Sequence, residues 1–247
     1  MSDSLGDRTP ALRARDPLGS RMKGQYEHRA RVLLPRRTYT LIRVDGKAFH
    51  TYTKGCQRPF DEALMRHMDY AAVELCRQAQ GAQVGFVQSD EISVLLTDFA
   101  SEKTDAWFDG NIQKIASISA SIVTAHFNAL RAGHGVAYFD ARVWSVPDPT
   151  EVENYFIWRQ QDATRNSISM LAQHHFSHAD LQSKSGAEMQ EMLMHWHNVN
   201  WNDQPTAFKR GRAIVKDQFK PWQSVEPPIF TSDEGRPWLQ RQIPRYA

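Results

Sequence analysis

Three acids stand where metal chemistry would need them. Asp45 closes an apolar run, Thr38 to Val44 (TYTLIRV). Asp90 and Glu91 sit between two more such runs, Gln83 to Val87 and Ile92 to Leu96. Short β-branched and apolar runs bounded by polar residues read as strands, and the last two as a hairpin. If the first strand lies beside that hairpin, the carboxylates of Asp45 and Asp90 meet at neighbouring strand ends. Two carboxylates so placed bridge a pair of Mg²⁺ ions roughly 3.5–4 Å apart, because hard oxygen ligands suit that ion. One ion lowers the pKa of an attacking hydroxyl, and the other holds a triphosphate and its leaving pyrophosphate. Taken singly, Asp-Gly and Asp-Glu are ordinary turn dipeptides. Convergence at matched strand ends favours the metal site.

The residues after Asp45 extend this chemistry. In Gly46-Lys47-Ala48-Phe49-His50 a glycine admits close approach of a phosphate, and successive backbone N–H groups form a cradle for it. The spacing is not that of a Walker A loop. Arg58-Pro59-Phe60-Asp61 precedes a helical run, at an end where anions are favoured. Arg58 there is either a phosphate partner or a surface arginine.

Six elements must position these residues. After strand one, Phe60 to Gln80 carries Leu64, Met68, Ala71/Ala72 and Leu75 at helical spacing. The hairpin follows. Asp105 to Leu130 reads as one long amphipathic helix, with Trp107, Ile112, Ile115, Ile118 and Ile122 in or near one face. Gly135 to Val143 reads as a fourth strand. The order β-α-β-β-α-β predicts an α+β, ferredoxin-like unit: an antiparallel sheet with helices on one face and the other face left for substrate. Helices are predicted over about 149–175 and 186–198, and the tail from Asn200 is expected to wrap the domain. The expected organisation is a flexible lead-in over 1–24 and one catalytic domain over 25–247. Within it the core spans about 38–145 and a helical and C-terminal extension about 149–247.

Composition is that of an ordinary globular chain, 41% hydrophobic and 23% charged. No apolar run is long enough to span a membrane, and residues 1–21 lack the apolar block of a signal peptide. Cys56 and Cys76 are the two cysteines, which points away from a disulfide framework and toward a reducing cytoplasm. The net charge of +2 conceals an asymmetry: residues 1–60 hold 13 Lys/Arg and 5 Asp/Glu, the remainder 17 and 23. A basic front beside acidic positions suits RNA or a nucleoside triphosphate, or is simply a solvated terminus.

Five segments in order carry a resemblance: RVDGKAFH (Arg43 to His50), RPFD (Arg58 to Asp61), QSDEIS (Gln88 to Ser93), FDARV (Phe139 to Val143) and WRQQDATRNS (Trp158 to Ser167). With HNVNWND (His197 to Asp203) and KRG (Lys209 to Gly211), they resemble the tRNA-His guanylyltransferase family, including its Thg1-like proteins. The resemblance implies a polymerase-type palm that adds nucleotides in the 3′-to-5′ direction to the 5′ end of tRNA. A 5′ monophosphate is first activated with ATP or GTP, and the 3′-hydroxyl of an incoming nucleotide then attacks it. It also implies Asp45, Asp90 and the Gly46 carbonyl as ligands of two Mg²⁺ ions, with Glu91 a supporting acid. Gly46, Lys47, Ala48, Phe49, His50 and Ser89 are then the triphosphate site. Arg58 and Asp61 are activation or nucleotide contacts, and Arg159 and Asn166 tRNA contacts. A cytoplasmic homotetramer is expected.

One departure matters. Eukaryotic members carry His-Ile-Asn-Asn after Trp-Arg-Gln-x-Asp-x, and here Thr164-Arg165-Asn166-Ser167 stands in its place. That resembles the bacterial or phage branch and makes template-dependent repair of 5′-truncated tRNA as plausible as guanosine addition to tRNA-His. The rival readings are a palm-type nucleotide cyclase and a catalytically inert RNA-binding protein. His174 and His178, four apart, form a weaker zinc candidate. Trp158 is expected in the core and its neighbour Arg159 at a phosphate.

Overall fold

The computed structural model describes residues 16–246. Much of the expected lead-in, residues 1–15, lies outside the described residues. The chain divides into two compact units, Met1–Val32 and Leu33–Ala247. In that first unit, Pro17–Met22 (α1) is a helix where none was read. Asp16 caps it, accepting from the Gly19 N–H at 2.9 Å, and Pro17 supplies the fixed φ of a first helical residue. A π-helical turn, Lys23–Glu27, and a 3₁₀ turn, His28–Ala30, continue it.

The second unit is built on Tyr39–Gly46 (β1), a short turn Phe49–Tyr52 (α2), Glu62–Gln78 (α3), Ala82–Gln88 (β2), Glu91–Thr97 (β3), Ile112–Ala129 (α4) and Phe139–Val146 (β4). Then come Pro149–His175 (α5), His178–Leu181 (α6), Gly186–His197 (α7), Thr206–Arg210 (α8), Arg212–Val215 (β5), Gln223–Val225 (β6) and Gly235–Arg241 (α9). The sheet order is β4-β1-β3-β2-β5-β6, with every adjacent pair antiparallel. The tail therefore does more than wrap: it adds two strands to the β2 edge.

Alternation along β1 shows why both sheet faces are covered. Ile42 and Val44 join a core with Met68, Leu75, Ile115 and Phe127 from α3 and α4. Tyr39 and Leu41 point the other way, into a second core with Tyr155 and Phe156 of α5 and Phe230, Leu239 and Ile243 of the tail. The expectation of one face left open to substrate is thus corrected. A strand that is apolar on alternate faces needs a cover on each, and α5 with the C-terminal segment supplies the second.

Two predicted elements change shape for local reasons. The helix expected over 105–130 is broken, because Phe108 and Asp109 are left-handed (φ 50° and 54°) and Asn111 starts α4 by accepting from the Lys114 N–H at 3.1 Å. Gly110 is needed here, at φ +70°, where a Cβ would lie 3.1 Å from the Leu34 carbonyl. Trp107 is buried but outside α4, and Ile118 faces solvent. The fourth strand begins at Phe139 rather than Gly135 because the Asn128 side chain takes both backbone groups of Ala137, at 2.8 and 2.9 Å.

Candidate functional site

The register of the sheet decides where the acids stand. In β1, Asp45 lies directly opposite Glu91 of β3 and opposite Asp140 of β4. Gln88 pairs with Glu91, leaving Ser89-Asp90 as a two-residue hairpin turn. Ser89 there has φ 47°, a conformation that glycine adopts more cheaply. The turn brings Asp90 against the end of β1: a Cβ on Gly46 would lie 2.8 Å from Asp90 Oδ2 and 2.4 Å from the Phe49 ring. Asp45 and Asp90 are therefore neighbours, from stretches of chain forty-odd residues apart.

Their electrostatics are those of an uncompensated anion pair. Burial pushes the Asp90 carboxyl up to about 6, and the charge of Asp45 adds to this against stabilising bonds from its own N–H and Ser89. Among the described residues neither acid has a Lys, Arg or His partner within ion-pair distance. No group of three or more His, Cys, Asp or Glu side chains is clustered to hold a metal among the described residues. The donor set still fits Mg²⁺, which is commonly held by one or two carboxylates with water and substrate phosphates completing its octahedron. Glu91 is different. Burial raises its carboxyl pKa, while Arg159, with Nε 3.0 Å from its Oε1, and Arg43, 3.8 Å from its Oε2, oppose the rise. It is a tethered acid rather than a free one.

Beside the acids opens a cleft of about 1090 Å³. Gly46, Ala48, Phe49, His50, Arg58, Asp61, Ser89 and Asp90 all line it, so eight residues singled out in the sequence share one wall system. Ala48 is left-handed (φ 50°), and among the described residues the N–H groups of Ala48, Phe49 and His50 have no protein acceptor, which makes a concave anion cradle. Thr53, Cys56, Gln57, Met170 and Gln173 also line the cleft and were not singled out. Only a tertiary fold brings Met170 and Gln173, on α5, to that wall.

Four of the expected site residues have structural partners that the sequence did not announce. Lys47 is exposed, gives its N–H to the Tyr138 carbonyl at 2.8 Å, and does not line the cleft. The Phe49 ring packs in the core against Tyr52, Phe127 and Phe139 and leaves its backbone to the cleft. Asp61 caps α3, accepting from Leu64 N at 2.8 Å and Gln57 N at 3.2 Å. Burial raises its pKa, but these N–H donors and Arg131 outweigh that and hold it below the ordinary carboxylate value. Arg159, expected at a tRNA phosphate, is 3% exposed and turned inward. It ion-pairs with Glu91 and Asp162 instead, although its Nε–H is not aimed squarely at the Glu91 oxygen.

Asn166 stands on α5 at a narrower, apolar slot of about 540 Å³ beside the cleft, with Ser89, Asp61 and the stacked pair Phe60 and Phe208. The proposed zinc pair is not on one helix, because α5 ends at His175 and Phe176 is extended; His175 instead lies beside His197, ring centroids 4.7 Å apart. Cys76 is buried, and burial pushes its thiol far up, consistent with a packing role.

An antiparallel α+β sheet with paired acids at its strand ends, opening on a cleft floored by free N–H groups, is the architecture of a nucleotidyl-transfer enzyme. The comparisons narrow the class. The profile of the tRNAHis guanylyltransferase (Thg1) family matches residues 19–147, and the chain belongs to that family of nucleotidyltransferases. It is similar to a solved bacterial tRNA(His) guanylyltransferase (Thg1)-like protein in complex with ATP: 44% identity, TM-score 0.86, covering 91% of this chain and 98% of that one. A bacterial Thg1-like protein in complex with GTP matches at 40% identity and TM-score 0.77, over the same shares of each chain. An uncharacterized protein of Acanthamoeba polyphaga mimivirus is 28% identical over 244 residues, covering 88% of this chain and 82% of its own. The Saccharomyces cerevisiae tRNA(His) guanylyltransferase is 25% identical over 207 residues, 75% and 85% respectively.

Proposed function

We propose that this chain adds nucleotides, guanosine among them, to the 5′ end of tRNA in the 3′-to-5′ direction, and repairs 5′-truncated tRNA against a template. The observation that carries the reading is the meeting of Asp45 and Asp90 beside a cleft with three free N–H groups. The strand order β4-β1-β3-β2 within a β-α-β-β-α-β sequence supports a ferredoxin-like, polymerase-type palm.

In the activation step, a 5′-phosphate oxygen attacks the α-phosphorus of ATP or GTP and pyrophosphate leaves. In the transfer step, the 3′-hydroxyl of the incoming nucleotide attacks the activated 5′ phosphate and the nucleoside monophosphate leaves. Asp45, Asp90 and the Gly46 carbonyl would hold two Mg²⁺ ions, which supply charge neutralisation and a more acidic attacking hydroxyl. The backbone of Ala48 to His50 receives the triphosphate, and Arg58 on the cleft rim adds a cation. Glu91, tied to Arg159, keeps the hairpin and hence Asp90 in place. A cytoplasmic homotetramer is the proposed setting.

The test is incubation with 5′-truncated tRNA, Mg²⁺, ATP and labelled GTP. Label at the RNA 5′ end is expected. A cyclic nucleotide product, or RNA binding without turnover, overturns the reading in favour of a cyclase or an inert binder.

A further inference from the structure

The α5 helix runs from the cleft past the hairpin that carries Asp90. Helical spacing places Trp158, Asp162, Arg165/Asn166, Met170 and Gln173 along one stripe. Met170 and Gln173 line the cleft. One turn or so earlier Asn166 stands beside Ser89 of the hairpin. Earlier still, Asp162 lies 3.4 Å from the Gln88 amide, and Arg159 3.0 Å from Glu91. The stripe thus runs from the cleft, across both ends of the hairpin that carries Asp90, and out to Trp158.

Trp158 is 46% exposed, a high value for so large an apolar side chain, and it adjoins the arginine that holds Glu91. Its ring is not loose. The Arg159 guanidinium lies 3.9 Å from its centroid, and Tyr155 meets it edge-on at 6.0 Å. The guanidinium is itself fixed by Glu91 and Asp162. Seven residues on, exposed Arg165 lies on the same face, held by Asp162 at 2.8 Å. Exposed Arg142 on the edge strand β4, opposite Arg43, points to the same side of the sheet as Asp45. A rigid indole that shares its helix face with an exposed arginine is a platform for a nucleobase whose phosphate that cation receives.

We propose that Trp158 stacks on a base at the 5′ end of the RNA substrate and so presents the terminal phosphate to the acids, while the nucleotide enters from the cleft. This rests on the proposed function for the identity of the RNA, but its test needs no turnover. The full chain is titrated with 5′-truncated tRNA bearing 2-aminopurine near the 5′ end. Quenching on binding is expected for the natural chain and for Trp158→Phe. Trp158→Ala is expected to bind this RNA about tenfold more weakly, without quenching, and to bind ATP unchanged. Undiminished RNA affinity in a folded Trp158→Ala variant overturns the proposal, and so does the absence of quenching with the natural chain. Trp158-dependent binding without extension would sink the proposed activity alone. Extension that ignores Trp158 would sink this contact alone.

Discussion

Replacing Asp90 with asparagine should stabilise the metal-free protein while destroying its activity. Burial, with Asp45 as a further cause, moves the carboxyl from an ordinary 3.8 to about 6 in the folded chain. Between those two values the folded state keeps a proton that the unfolded state has released. The group's contribution is therefore most favourable below pH 3.8 and is lost as pH rises through 6. Above that it is a constant cost. At about 1.4 kcal/mol per pKa unit the shift corresponds to about 3 kcal/mol; Asp90 retains some contact with water, which brings this to about 2 kcal/mol. Asparagine keeps an oxygen for the N–H and Ser89 bonds and carries no charge to desolvate.

Urea denaturation in EDTA is the assay. At about pH 7.5 Asp90→Asn is expected to exceed the natural chain by about 2 kcal/mol, a gap that closes toward about pH 4. Saturating Mg²⁺ should raise the natural chain by linkage and leave the variant nearly unmoved. A variant that is less stable in EDTA at neutral pH, or a gap that does not change with pH, refutes the picture of an uncompensated acid pair.

Asp45→Ala and Asp90→Ala should each abolish nucleotide addition with circular dichroism unchanged; near-native addition by either removes the metal assignment. Gly46→Ala puts a methyl 2.4 Å from the Phe49 ring and 2.8 Å from Asp90 Oδ2. Addition measured with labelled GTP should fall about tenfold or more, since displacements on this scale are costly at a reacting centre. Arg159→Ala leaves Glu91 with only the more distant Arg43 and Asp162 with only exposed Arg165, and should cost about 3 kcal/mol in urea denaturation. Arg159→Lys should not restore that stability, because one ammonium cannot meet two carboxylates as a planar fork does.

The parts of this site that were legible in the sequence are those a strand pattern can align. TYTLIRV ends at Asp45 and the hairpin turn holds Asp90, so pairing of the two strands was enough to join them. The helix over 149–175 was legible because Asp148 and Pro149 give a cap and a first turn, and because its apolar residues persist. Contributions fixed by side-chain satisfaction were not legible. Nothing local tells that Asn128 will take the backbone of Ala137 and delay β4, or that Phe108 and Asp109 will turn left-handed to let Gly110 pass Leu34. The second sheet cover was missed for a related reason. Tyr39 and Leu41 announce an apolar face, but only the assembled chain shows that α5 and Phe230, Leu239 and Ile243 fill it.

Trp158 and Arg159 invert their expected places, and the inversion follows from the helix. Adjacent residues on an α-helix point about 100° apart, so the two take different surroundings, and on α5 Arg159 is buried while Trp158 is exposed. Hydrophobicity alone would bury the tryptophan. Inward, however, this stretch of α5 meets Glu91, Ser93 and Arg43 at the polar end of the sheet, where an acid needs a partner. A buried guanidinium between Glu91 and Asp162 satisfies that end, whereas an indole there would leave Glu91 with only the more distant Arg43. The acid Glu91 at the sheet end thus selects which neighbour goes in, and the indole is the one left outside.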